Sequence, residues 1–514
     1  MICTMLCKSK HVYICSIVVL FFFIGINLGL SGCFKSRRIG TDDSDDTETA
    51  AVDDSASVAD SASSSDGILS TESSPSTDTI RNGETEWDTV TDSATDTGSA
   101  AAGDSEAPVV CDGPILFPDA SLEAVVRDAI KKPTGDIHYE DVASLKGLDA
   151  STAWNGPSLS DLEYPCPYFT DRIVSDLTGM ECLTNLEYFD LTCNDVVDIG
   201  ALAGLTALTS LILTTNRIVD IGPLANLRRL THLDLSANDI ENIASLSELT
   251  ELEGLSLSSN AIRDIGLLSE LTKLEWLSLS RNDIEEITPL SKLTRLKNLY
   301  LAFNQIEDIS VLAAFSSVVR LYLSDNRISD IAPLETLSAL ELLDLDNNHV
   351  ADLRPLASAA TLLELHMSSN QISNIDALSA SQMLLKLYLE NNQIEDLSPI
   401  SEMSNLRELA LSSNQIVDID ALSALVLLNR LMLSSNRIKS IRALSELTAL
   451  RQVVLSSNNI TDISPLVSNA NLGVYNTDAL YIDANDYDCE AGDTRSNIDA
   501  LAGRHFQYFE HDCN

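Results

Sequence analysis

Basic residues are the conspicuous deficit of this chain of 514 residues: 32 Lys and Arg stand against 77 Asp and Glu, a formal net charge of −45. A surface so acidic repels phosphate backbones and anionic lipid faces, which excludes nucleic acid as a partner class. Catalytic signatures are missing too. The chain holds no G-x-S-x-G, no H-E-x-x-H, no Walker glycine loop and no G-x-G-x-x-G. Its seven histidines are scattered, and the carboxylates recur as solvated surface rather than converging. No catalytic group, metal or cofactor is assigned, and no enzyme is expected. Aromatic residues amount to only 5%.

What the chain does have is a period. Asparagine stands at Asn194, Asn216, Asn238, Asn260, Asn282, Asn304, Asn326, Asn348, Asn370, Asn392, Asn414, Asn436 and Asn458, every 22 residues without a slip. Such a register belongs to stacked supersecondary units, in which one inserted residue would misalign every neighbour. Upstream of Asn216 lie Leu208, Leu211 and Leu213, and downstream Ile218, Ile221, Leu224 and Leu227. The same offsets from Asn282 give Leu274, Leu277, Leu279, Ile284, Ile287, Leu290 and Leu293. A Leu-x-Leu step points both leucines to one face of a short strand. The remaining part of each unit, often carrying proline (Pro223, Pro289, Pro333), has room for an extended or 3₁₀ turn rather than a full helix. No single coil buries its apolar set; stacked coils share one core.

The asparagines are structural on this reading. An amide both donates and accepts, so it can satisfy backbone groups where each strand ends and the chain turns. The Asp before Ile in many units (Asp198, Asp220, Asp264, Asp308, Asp330, Asp352, Asp396, Asp418, Asp462) caps the following turn. One carboxylate per coil is too few for a calcium cage.

The pattern Leu-x-x-Leu-x-Leu-x-x-Asn-x-Ile-x-Asp-Ile-x-Pro-Leu-x-x-Leu over residues 173–468 resembles the leucine-rich repeats of bacterial internalin-like proteins. The resemblance implies an α/β solenoid: a right-handed superhelix with a parallel β concave face and an extended or 3₁₀ convex side. It also implies a helical N-terminal cap, and the cysteine positions give a disulfide-closed C-terminal cap. For function it says less, because the residues that carry it are the buried ones.

Residues 1–33 set the compartment. Lys8 and Lys10 precede an apolar run from Val12 to Leu30, followed by Ser31, Gly32 and Cys33, the layout of an export signal. The Leu-Ser-Gly-Cys ending is similar to the lipobox of bacterial lipoproteins, which implies cleavage before Cys33 and acylation of its thiol. The rival reading is an uncleaved membrane helix, since the run is long enough to span. Residues 34–110 read as an acidic tether; from 41 onward it holds 18 acidic residues against one basic, Arg81, and cannot form a core. The expected location is the bacterial envelope, at the outer membrane or cell surface.

Six cysteines remain beyond Cys33: Cys111, Cys166, Cys182, Cys193, Cys489 and Cys513. An even number outside the cytosol suggests disulfides. Cys489 and Cys513 are the only pair at their end of the stack and are expected to bond; the pairing of the other four stays open. Residues 111–172 read as the N-terminal cap. Asp119 is a helix N-cap before Leu122, Val125, Val126, Ala129 and Ile130. Val142, Leu145 and Leu148 form a second apolar set, and Trp154, Tyr164, Cys166, Tyr168 and Phe169 a lid over the first coil. Residues 469–514 read as the C-terminal cap, with a last strand and turn at Leu480–Asn485, 27 residues after Asn458 instead of 22.

Outward strand positions offer one aromatic band, Tyr300, Tyr322, His366 and Tyr388, spanning four strand spacings or roughly 19 Å. Trp276 and Phe303 lie on neighbouring columns. Exposed aromatics among small polar residues are where binding energy concentrates, so this concave face is expected to hold a protein ligand. A glycan or cell-wall polymer is the alternative, and a structural envelope role the third reading. The band is expected to be solvent-facing, so that truncating Tyr322 costs binding and little stability. The chain is read as a monomer held to the membrane through its lipid.

Overall fold

The computed structural model describes residues 111–152, 166 and 173–513. Sixteen short strands pair in parallel in strict chain order, from Gly147–Asp149 to Phe506–Glu510. Most are three residues long, as in Trp276–Ser278, Asn298–Tyr300 and Arg320–Tyr322. Register is set by the leucine at each strand centre: Leu277, Leu299, Leu321 and Leu343 are successive partners. These leucines, and those two residues on, are fully buried in a single continuous core. Slipping one residue would turn every buried leucine outward.

The returning arm of each regular coil is a 3₁₀ turn, for example Gly222–Asn226, Thr288–Lys292 and Ala332–Thr336. Pro223, Pro289 and Pro333 sit in the first turn of these, where a missing N–H forfeits no bond. All nine aspartates named above accept from the backbone N–H two residues on, as Asp220 does from Gly222 (2.8 Å) and Asp418 from Asp420 (2.8 Å).

The asparagines link each coil to its neighbours. Asn216 Oδ1 accepts from Val196 N–H at 3.0 Å, while its Nδ2 donates to the carbonyls of Leu191 and Leu213, both at 3.0 Å. Asn326 repeats this with Ile306, Leu301 and Leu323. Immediately before each stands a non-glycine residue in the left-handed region, from Cys193 to Ser457, with φ between 53° and 61°. That costs roughly 1–2 kcal/mol per residue, offset by bonds to the next coil such as Thr215 N–H to the Ser236 carbonyl (2.9 Å).

At the N-terminal end, Asp119 caps the helix Ala120–Ile130 by accepting from Ser121 and Leu122 N–H. Its second oxygen accepts from Ser175 N–H at 2.8 Å, which ties the helix to the first coil. Gly147–Asp149 joins the sheet against Tyr188–Asp190, so Leu148 belongs to a strand and not only to an apolar set. Disulfides join Cys111 to Cys182 and Cys166 to Cys193. The lid expected around Trp154, Tyr164, Tyr168 and Phe169 lies outside the described residues, as do Cys33 and the tether.

At the C-terminal end the ladder survives its longer spacing. Asn485 Nδ2 donates to the Leu455 and Ile482 carbonyls at 3.0 and 2.9 Å. The sheet then continues one strand further than the sequence reading, through helix Gly492–Ala502 to Phe506–Glu510. The Arg504 guanidinium donates to the carbonyls of Asn469 (2.8 Å) and Leu472 (2.9 Å). Cys489 and Cys513 form the expected disulfide, closing a loop with a sequence separation of 24; such a bridge contributes roughly 3 kcal/mol.

Candidate functional site

Alternate strand residues point away from the core, and three outward columns run along the sheet face. The column four residues before each asparagine brings Tyr300, Tyr322, Asp344, His366 and Tyr388 onto adjacent strands in register. The rings do not form one band. Tyr300 stacks on Tyr322 with centroids 4.7 Å apart and an interplanar angle of 9°, and Trp276 meets Tyr300 edge-on at 6.0 Å. His366 stacks on Tyr388 at 4.4 Å. Asp344 interrupts the two groups.

Two expectations are corrected here. Tyr300 is only 4% exposed, because its flanks are closed by Trp276 and Tyr322; it is a packed residue, not a solvent-facing one. Tyr322, His366 and Tyr388 are half-buried rather than free, since rings one strand spacing apart cover each other's faces. Phe303 is also not on a strand. It occupies the left-handed turn position with φ 56°, and the Arg281 guanidinium lies 4.0 Å above its ring.

Charge gathers around the interruption. Asp344 accepts from the Ser324 hydroxyl (2.9 Å) and from Asp346 N–H (3.1 Å), and Asp346 accepts from Ser368 N–H (2.5 Å). Burial, with Asp344 beside it, pushes the Asp346 carboxyl up to about 6, and burial also raises Asp344. His366 Nε2 engages Glu364 at 2.8 Å, and Lys386 Nζ reaches the same carboxylate at 3.2 Å. The hydrogen bond from His366 holds Glu364 below the usual carboxylate range. The Tyr388 hydroxyl donates to Glu408 at 2.7 Å, and burial with that carboxylate pushes its pKa well above the ordinary phenol value.

Sequence reasoning passed over Asp344, Asp346, Glu364 and Glu408, although Asp344 stood in the middle of the chosen column. It also missed Tyr481 and Tyr508, which share the face further along with ring centroids 6.5 Å apart. The 27-residue spacing moved them out of the regular register. Among the described residues no helix is long and apolar enough to cross a membrane.

A stack of parallel strands, 3₁₀ turns and an asparagine ladder defines a leucine-rich-repeat solenoid. Sequence profiles agree. The family described as "Leucine Rich repeats (2 copies)" matches residues 272–314, 316–358, 382–424 and 426–468. Two further leucine-rich-repeat profiles match 228–284, and 182–203 with 358–379. No curated protein sequence matches the chain. Among solved structures, an internalin of Listeria monocytogenes is 34% identical with a TM-score of 0.62, covering 66% of this chain and 97% of its own. A leucine-rich-repeat protein of Leptospira interrogans is 22% identical with a TM-score of 0.61, covering 72% of this chain and 97% of its own. The ectodomain of a plant receptor kinase of Arabidopsis thaliana, in complex with CASPARIAN STRIP INTEGRITY FACTOR 2, is 22% identical with a TM-score of 0.57; it covers 66% of this chain and 42% of its own. The chain belongs to the internalin-like leucine-rich-repeat proteins.

Proposed function

We infer that the sheet face between Trp276 and Glu408 captures a protein ligand, and that the solenoid is displayed outside the cytoplasm on an acidic tether (residues 34–110) lipidated at Cys33. The carrying observation is the pair of ring stacks, Trp276–Tyr300–Tyr322 and His366–Tyr388, set among charged residues such as Asp344, Glu364 and Glu408. Aromatics that are half-buried and braced lose little entropy on binding, the condition for an interface anchor. Three disulfides support an oxidising compartment. The plant ectodomain's complex shows the same fold class holding a protein ligand.

A glycan is the weaker reading. Sugars stack on open ring faces, and here most faces are turned to a neighbouring ring. The test is cross-linked capture of envelope proteins by the full chain, with Trp276→Ala and Tyr388→Ala as variants. Reduced capture by both supports the reading; unchanged capture refutes the location. Fatty-acid labelling that tags the wild type and spares Cys33→Ser tests the anchor.

A further inference from the structure

The two ring stacks lean in a particular way. Tyr322 is braced by Tyr300 on the side of the preceding coil, and His366 by Tyr388 on the side of the following one. Asp344, the short residue between them, is the register partner of both. Tyr322 and His366 therefore stand two strand spacings apart, roughly 10 Å. With the half-thickness of both rings removed, the gap is wide enough for one flat or slender group.

The floor of this gap is acidic, and the charge facing both of its carboxylates is the imidazole of His366 at its edge. Asp344 and Asp346 bond only to Ser324, to Ser368 N–H and to each other's segment, and neither forms an ion pair with Lys or Arg among the described residues. Lys386 is drawn to Glu364, and Arg320 to Asn298 at 3.3 Å. Holding two half-buried carboxylates together with a single shared imidazole as their partner charge is unfavourable, and burial keeps both above their ordinary range. An incoming positive group would relieve that and would come to lie beside the Tyr322 ring, an arrangement that favours cation–π contact.

We propose that the notch between Tyr322 and His366 receives a single arginine or lysine side chain of the protein ligand, with Asp344 and Asp346 as its countercharges. The proposal rests on the reading of this face as a protein-binding surface. Charge complementarity selects the occupant. A neutral side chain leaves the two carboxylates with the His366 imidazole alone, and an acidic one is repelled.

The test uses short peptides selected from a random library on the full chain. Peptides that bind and need Trp276 and Tyr388 should carry a shared Arg or Lys. Replacing that residue by citrulline or acetyl-lysine should weaken binding roughly tenfold or more. Asp344→Asn with Asp346→Asn should weaken the unmodified peptide to the same extent and leave the neutral peptide unaffected. The neutralised peptide leaves the protein untouched, so the result does not depend on the variant folding. Glu307→Gln with Glu395→Gln, which removes the same charge from the exposed convex side, should change nothing; an equal loss there would reduce the effect to bulk electrostatics and overturn the proposal. Peptides that need the rings but carry no basic residue and ignore the Asp344 and Asp346 changes overturn it while leaving the proposed function standing. Peptides indifferent to Trp276→Ala and Tyr388→Ala overturn both.

Discussion

Between residues 236 and 280 the two columns four and two residues before the asparagines carry serines whose hydroxyls satisfy one another across coils, Ser236 with Ser256 and Ser258 with Ser278. Between 298 and 390 the same backbone positions carry rings and carboxylates. The changeover is visible at Ser280, fully buried and without a partner for its hydroxyl: the position that would continue the pairing is Tyr300. The scaffold is indifferent to this switch. Strand register and asparagine bonds are the same on both sides, so recognition chemistry can vary along the face without disturbing the stack that presents it.

The strongest way to break this comparison is through the shared core. Leu233→Ala and Leu321→Ala should each cost roughly 2–5 kcal/mol by leaving a cavity, and by similar amounts in the two stretches, as read from chemical unfolding. Unequal losses would show that the stretches do not share one scaffold. Next come Asn238→Ala and Asn326→Ala. Each leaves three backbone partners from two coils unsatisfied, and a loss of roughly 1–3 kcal/mol is expected.

The rings separate the stretches. Tyr322→Ala should weaken ligand capture by about 1–3 kcal/mol, whereas Ser256→Ala should leave it unchanged. Because Tyr322 stacks on Tyr300, a stability loss of about 1 kcal/mol should accompany it, measurable as a lowered melting temperature. No such loss was expected when the ring was read as free.

The smallest effect concerns pH. Asp346 sits near 6 in the fold, above its ordinary 3.8, through burial and the neighbouring Asp344. A raised carboxyl binds its proton more tightly when folded, so its share of stability is full below about 3.8 and is lost as pH rises through about 6. Asp346→Asn should therefore melt higher than wild type at neutral pH by about 1 kcal/mol or less after screening. The advantage should shrink toward zero near pH 4. His366 also faces this carboxylate, and its own titration would show as a residual slope in the variant.

The repeating parts were legible because each answers to a local rule. Asn216 and Asn326 announce the coil by spacing, Asp220 and Asp418 announce the turn they cap, and Cys489 and Cys513 had no alternative partner at their end. The site was legible only as a set of residue types. Tyr300 was read as exposed because strand alternation tells which way a side chain points, not whether its neighbours will cover it. Phe303 was read onto the face because the left-handed conformation at that position leaves no mark in a sequence that never uses glycine there. Tyr481 and Tyr508 escaped because five extra residues displaced them from the period.

The sequence by itself determined that this chain is a stack of equal coils, which face is buried and where each strand ends. Those properties depend on periodicity and on single side chains meeting their own backbone. Only the tertiary structure decided that Cys111 meets Cys182 and Cys166 meets Cys193, that Gly147–Asp149 and Phe506–Glu510 join the sheet, and that the aromatic column divides around Asp344. Each of these depends on which side chains of different coils come within contact of each other, and a period places residues in columns without saying how they fill the space between them.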